Sequence, residues 1–255
     1  MRVGGRVAMV TGGGSGIGRA CAMMMAKEGA DIVVADIDGD HGESVAKAVQ
    51  GIGRGAVALP TDTSKKDQVQ RIVKAGIDRF GKIDILVNAA GIPGGPTVRD
   101  MPEELFDRVL AVHLKSTFLC SQAVLDSMMA QRWGRIVNIT SRAAWKGRAG
   151  SSVYAAAKAG MTGFSRCLAV EVGPYGITVN NVAPGFVVTP MTSTQGRFAT
   201  EELQVKEQER LGAVAYPLRF CRPEEIAEAV LYFCGPNSGQ TTGATLHVNS
   251  GTVMS

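Results

Sequence analysis

The feature that most limits how this chain can fold is a glycine string near its start, Thr11-Gly12-Gly13-Gly14-Ser15-Gly16-Ile17-Gly18. It follows the apolar run Val7-Ala8-Met9-Val10 and precedes a segment with helical periodicity. A strand that turns through glycines straight into a helix lets the backbone approach a pyrophosphate, with free N–H groups at the helix N-terminus facing it. Glycine-rich turns are common, so the string alone is weak evidence; an acid at the right distance strengthens it. Asp36 closes the next apolar run, 18 residues beyond Gly18. A carboxylate there accepts hydrogen bonds from ribose hydroxyls and repels a 2′-phosphate, and neither Ser15 nor Ile37 supplies a cation to attract one. The expected cofactor is therefore NAD rather than NADP, held by Gly12, Ser15, Gly16, Ile17, Gly18 and Asp36.

The rest of the chain alternates short apolar runs with longer amphipathic ones. Strands are predicted at 6–11, 31–35, 56–60, 85–88, 135–140, 178–182 and 244–248. Helices are predicted at 16–29, 39–52, 64–80, 103–130, 151–173, 199–211 and 223–234. The strands are rich in Val and Ile without polar alternation, as expected when both faces of a sheet are covered. The fold class is α/β, a Rossmann-type doubly wound parallel sheet of about seven strands with right-handed crossovers. With 255 residues, 45% of them hydrophobic, and no linker or repeat, the chain reads as a single domain. Asp62, Asn88, Ala89 and Gly91 follow strands on the rim that carries the glycine string, so they are expected as cofactor contacts and not only as caps or turns. The rhythm breaks over 190–222, with Gly196, Gly212, Pro217 and a charged stretch at 201–210. This insertion is expected to be a substrate lid offering Met191, Phe198 and Leu211, although a surface helix fits the pattern too.

Charge and cysteine usage narrow the class. The net charge of +4 is scattered, so no polymer-binding patch is expected, neither for nucleic acid nor for a membrane surface. No apolar stretch approaches the roughly 18 residues of a membrane span, and no signal peptide is apparent. Five cysteines, at 21, 120, 167, 221 and 234, form no CxxC pair. They are expected to be reduced and buried, in a cytoplasmic protein with no metal site.

Tyr154-Ala155-Ala156-Ala157-Lys158 opens a predicted helix, and the i, i+4 spacing puts both functional side chains on one face. A nearby ammonium stabilises tyrosinate and lowers the phenol pKa from about 10. Such a tyrosine gives a proton to a carbonyl or takes one from an alcohol. Ser141 ends the preceding strand and reaches the same substrate oxygen. A lone YxxxK occurs by chance in many helices; its place behind a dinucleotide cradle is what gives it meaning.

Together, TGGGSGIG, NAAG, Ser141 thirteen residues before the tyrosine, YAAAK, and Pro184-Gly185 with Thr189 resemble the single-domain short-chain dehydrogenase/reductase family. The resemblance implies Tyr154 as acid/base, Ser141 polarising the substrate oxygen, and Lys158 also holding the nicotinamide ribose. It implies Pro184, Gly185, Val187 and Thr189 at the nicotinamide end, and a homodimer or homotetramer. The helices at 103–130 and 151–173 would pack between subunits, where the small residues Ala155, Ala156, Ala159, Gly160 and Gly163 fit equally against the chain's own sheet. The family commonly carries Asn where this chain has His113. His113 is therefore expected either to replace that Asn in a proton relay behind Lys158, with a neutral ring, or simply to pack. Ala89 replaces one Asn of the common NNAG, and Val248-Asn249-Ser250-Gly251 departs from the usual C-terminal turn.

The expected activity is hydride transfer between nicotinamide and a secondary alcohol/ketone pair. Two rivals stay open: a 3-oxoacyl-carrier-protein reductase, expected to prefer NADPH against the indication of Asp36, and a non-catalytic NAD-binding scaffold. Arg142, Lys146 and Arg148, with Trp145, make a basic segment after Ser141. It reads either as a pocket wall for an anionic substrate or as a solvated loop, and the surface habit of Arg and Lys favours the loop.

Overall fold

The computed structural model describes residues 1–193, 200–214 and 219–254. Seven apolar runs form strands β1 (Val7–Thr11), β2 (Asp31–Asp36), β3 (Ala56–Pro60), β4 (Ile85–Asn88), β5 (Gly134–Ile139), β6 (Ile177–Pro184) and β7 (Thr245–Val248). They pair in parallel in the order β3-β2-β1-β4-β5-β6-β7. Every residue of β1, β4, β5 and β6 is buried, which explains the missing polar alternation. Helices α1 (Gly16–Lys27), α2 (Gly39–Gly51) and α9 (Pro223–Cys234) cover one face through Cys21, Met25, Val45, Val49, Ile226 and Val230. Helices α3 (Lys66–Phe80), α5 (Ser116–Gln131) and α6 (Ser152–Val172) cover the other through Ile72, Val73, Leu119, Val124 and Leu168. The chain is thus a single-domain, doubly wound α/β fold.

This order positions the site. From β1 the chain winds outward to β3, then returns to lay β4 on the other side of β1. The crossovers part there, and a crevice opens at the C-terminal ends of β1 and β4, where Thr11 pairs with Asn88.

Several expectations need correction. The single helix expected over 103–130 is divided into α4 (Glu103–Leu110), a π-helical turn at Ala111–Lys115, and α5. Hydroxyls compete for the carbonyls of this turn: Ser116 Oγ donates to Val112 O at 2.5 Å and Thr117 Oγ1 to His113 O at 2.8 Å. The helix expected at 199–211 is α8 (Glu201–Arg210), capped by Thr200, whose hydroxyl accepts from the Leu203 N–H; the short α7 (Pro190–Ser193) precedes it. Strand β6 runs beyond 178–182 because its polar residues are paired inside, with Asn180 Nδ2 donating to Thr241 O at 2.7 Å. Cys167 is exposed, whereas the other four cysteines are buried. On α6 the small residues Ala156, Ala159 and Gly163 are exposed while Val153, Ala157, Met161 and Ser165 face inward, so that small stripe does not pack on the chain's own sheet. Among the described residues no helix is long and apolar enough to cross a membrane.

Candidate active site

At the β1 end the backbone must pass where no side chain fits. Gly12 has φ +60°, and a Cβ there would lie 2.9 Å from Ala90 Cα; one on Gly18 would lie 2.1 Å from Gly12 O. Thr11 Oγ1 ties this turn to the next by accepting from the N–H groups of Ala89 at 3.0 Å and Ala90 at 3.1 Å. Asp36 ends β2 and accepts from the Gly14 N–H at 2.8 Å and the Asp38 N–H at 3.0 Å, fixing its carboxylate beside the glycine turn. Gly12, Ser15, Gly16, Ile17, Gly18, Asp36, Asp62, Ala89 and Gly91 together line one lobe of the crevice, about 650 Å³. Lys65 and Arg108 stand on its wall too. Asn88 departs from expectation. Its side chain is buried beneath the rim and donates to Asn138 Oδ1 at 2.7 Å, so it braces the strands instead of lining the cleft. Beyond it Asn138 Nδ2 donates to Ser165 Oγ at 2.8 Å, and Ser165 lies 2.7 Å from Asn181 Oδ1. Sequence reasoning missed this polar chain; its signal was an amide inside each of the apolar runs of β5 and β6.

A second lobe, about 910 Å³, shares Ile17, Ala89, Gly91, Thr189 and Met191 with the first. Ser141, Tyr154, Lys158 and His113 line it, as do Pro184, Gly185, Val187 and Thr189. Strand β5 delivers Ser141 and the first turns of α6 deliver Tyr154 and Lys158. Lys158 Nζ lies 5.7 Å from the Tyr154 ring centre and donates to Ile139 O at 2.7 Å. Burial lowers the Lys158 ammonium to about 7. Burial also raises the Tyr154 phenol, against which Ser141 and the charge of Arg142 pull downward. The expectation of a phenol depressed by Lys158 is therefore not met in the free protein: desolvation outweighs the opposing charges, and the lysine is itself partly neutral near pH 7.

His113 sits in the π-helical turn, 1% exposed, its ring edge-on to Tyr154 with centres 5.2 Å apart. Its Nε2 is 2.9 Å from Ile92 O and 3.2 Å from Ile92 N, and its Nδ1 is buried without a partner. Burial, and then the nearby Lys158, lowers its pKa to about 3, so the ring is neutral at pH 7. Gly91 has a second reason to be glycine, since a Cβ there would meet His113 Cε1 at 2.6 Å.

The basic segment is a solvated loop at Lys146 and Arg148, which are exposed, but not at Arg142. Arg142 is half-buried in the lobe wall, with Arg148, Lys146 and Arg210 around it. Trp145 does not join them; it packs against His247, ring centres 4.7 Å apart. Of the apolar contacts expected from 190–222, Met191 and Leu211 line the lobe, and Phe198 lies outside the described residues. Phe186, unremarked in the sequence, lines the lobe as well.

A family model described as short chain dehydrogenase matches residues 6–199. The chain belongs to the short-chain dehydrogenase family. It is accordingly an oxidoreductase of a family that binds nicotinamide cofactors, and the glycine cradle and Asp36 fit such a group. Among its relatives in this family is the hydroxy(phenyl)methylsuccinyl-CoA dehydrogenase subunit BbsD of Thauera aromatica, 40% identical over 98% of both chains. The 3-oxoacyl-acyl-carrier-protein reductase FabG of Thermotoga maritima is 36% identical over the full length of both. A short-chain dehydrogenase/reductase of Serratia marcescens, solved as a double mutant, superposes with a TM-score of 0.89 at 34% identity, covering 99% of each chain.

Proposed function

We propose that this chain is an NAD(H)-dependent oxidoreductase of secondary alcohols and their ketones, with Tyr154 as general acid/base. The observation that carries the reading is the meeting of Ser141, Tyr154 and Lys158 in a lobe continuous with the lobe that holds Asp36. Bound nicotinamide supplies or accepts the hydride; the protein's part is to hold the substrate oxygen and move a proton there. In reduction the Tyr154 hydroxyl gives its proton to the carbonyl oxygen, and in oxidation tyrosinate takes one from the alcohol. Ser141 hydrogen-bonds the same oxygen. Lys158 holds the nicotinamide ribose and, when charged, favours tyrosinate; Pro184 and Gly185 contact the cofactor, and Val187 and Thr189 hold the carboxamide. Asp36 favours NAD over NADP. His113 replaces the usual Asn in the relay: with Nε2 engaged at Ile92, its unpartnered Nδ1 offers a place for a water behind Lys158. Residues 200–211, ending on Leu211, cover the substrate side. The exposed small stripe of α6 and the neighbouring Phe118 pack against a second copy in a homodimer or homotetramer, and the working compartment is the cytoplasm.

The test is a screen of secondary alcohols with NAD, following NADH absorbance, in wild type and Tyr154→Phe. The Phe variant should bind NADH nearly normally and turn over at least about 100-fold more slowly, the usual range for a lost acid/base group. More than a tenth of wild-type turnover, with chemistry rate-limiting, would remove Tyr154 from its role; NADH binding without any turnover would leave a scaffold. A 3-oxoacyl-carrier-protein reductase is the second reading, favoured by the relatives that carry this name. It requires preference for NADPH and for carrier-bound thioesters.

A further inference from the structure

The second lobe has more positive charge than the proposed hydride transfer needs. Arg142 directly follows Ser141, the residue proposed to hold the reacting oxygen. Its guanidinium carbon lies 4.9 Å from the centre of the Phe186 ring, which is itself stacked on Phe220. A cation–π contact of this kind restrains the guanidinium without using its N–H donors. Among the described residues, Arg142 has no hydrogen-bonded side-chain partner and no ion pair. Glu207 is within electrostatic reach, but it is already held by Arg210 through two bonds of 2.7 Å. Lys146 is also tied, donating to Leu211 O at 3.0 Å. No carboxylate is among the described residues lining the lobe, whereas Arg142, Lys146, Arg148 and Arg210 all line it. A half-buried cation left without a counter-charge is costly, and a planar fork of donors is shaped for a carboxylate.

We propose that the physiological substrate is a hydroxy or keto acid whose carboxylate is held by Arg142, with Arg148 adding positive charge at the mouth. The proposal rests on the hydride-transfer reading above and names the substrate class for that same site. A free carboxylate is favoured over the phosphates of a carrier arm because Arg142 adjoins Ser141 in sequence and lines the same lobe as Tyr154. An acidic group held by Arg142 shares that lobe with the reacting carbon, whereas the phosphate of a pantetheine arm lies far along the chain. Arg142 is a specificity-determining residue in this account: it holds one end of the substrate while Ser141 and Tyr154 hold the reacting oxygen.

The experiment compares short 2- and 3-hydroxy acids with their methyl esters and with 3-hydroxybutanoyl-CoA, using NAD and wild type, Arg142→Gln and Arg142→Lys. Wild type should prefer at least one acid over its ester by at least tenfold in kcat/KM, chiefly through KM. Arg142→Gln should lower kcat/KM for that acid at least tenfold more than for the ester. Arg142→Lys should fall between them, since an ammonium lacks the fork. NADH binding by fluorescence reports whether each variant is folded. The proposal is overturned if no acid outperforms its ester in wild type, including through absence of turnover, or if Arg142→Gln lowers acid and ester alike. It is also overturned if the CoA thioester is used better than any free acid, because the anion would then be the carrier's phosphate. Esters oxidised through Tyr154 with no preference for acids would sink this inference while leaving the hydride-transfer reading intact.

Discussion

Replacing His113 by Leu should make the protein less sensitive to acid. The imidazole pKa falls from 6.5 to about 3 on folding, first through burial and then through Lys158. The unfolded chain therefore binds a proton that the folded one refuses, and stability falls as pH drops from 6.5 toward 3. Between pH 7.5 and 4.5 the imbalance amounts to two decades of proton affinity, or about 3 kcal/mol. Other shifted groups leave this window largely clear. Lys158, lowered from 10.5 to about 7, has its pH-dependent range above it. Glu225, lowered from 4.5 to about 2 by its hydrogen bond with Arg219, has its range below it. His247 is also lowered by burial, but it is common to both proteins and cancels in the comparison. For a chain of this size, 3 kcal/mol corresponds to a fall in Tm of about 6–12 °C. Cofactor-free wild type should therefore lose that much more Tm than His113→Leu on moving from pH 7.5 to 4.5. The variant's Tm at pH 7.5 should itself be lower, because Ile92 loses its buried partner, at a cost of about 1–3 kcal/mol. Equal acid sensitivity in the two proteins would refute the reasoning, since His113 would then be protonated or hydrated in the folded state.

The same position tests the relay: His113→Asn should keep substantial turnover, whereas His113→Leu should lose at least about tenfold beyond any change in NADH affinity, and wild-type turnover in the Leu variant would leave the histidine a packing residue. Fluorescence titration should show NADH bound at least about tenfold more tightly than NADPH, because a 2′-phosphate about 4 Å from Asp36 meets repulsion on the order of 4 kcal/mol before solvent weakens it. Asp36→Ala should narrow that gap mainly by improving NADPH, and equal affinities in wild type would refute the assignment. Lys158→Ala should weaken both cofactor binding and turnover, separating it in a steady-state assay from Tyr154→Phe. Gly18→Ala should abolish NADH binding or folding, since its Cβ would sit 2.1 Å from Gly12 O; a folded variant with wild-type affinity would show that α1 shifts freely.

Much of this protein was legible before folding because its information is local. Strand and helix identities follow from apolar spacing, and the glycine string, Asp36, Ser141 and YAAAK each owe their meaning to a strand end or helix start beside them in sequence. Parallel pairing then brings those ends to one edge, so the sequence also implied that they meet. The tertiary structure alone decided matters that depend on distant partners. It turned Asn88 inward to Asn138, split the long helix with a π-helical turn at His113, and set Gly91 against that ring. It also raised the Tyr154 phenol by burial where the i, i+4 lysine alone argued for lowering it. Arg142 shows the division most plainly. As a residue type it argued for a solvated loop, whereas tertiary packing, with Phe186 against its guanidinium, makes it a half-buried cation in the cleft. Spacing determines which groups share an edge of the sheet, but desolvation depends on everything packed around a group, and no local pattern records that.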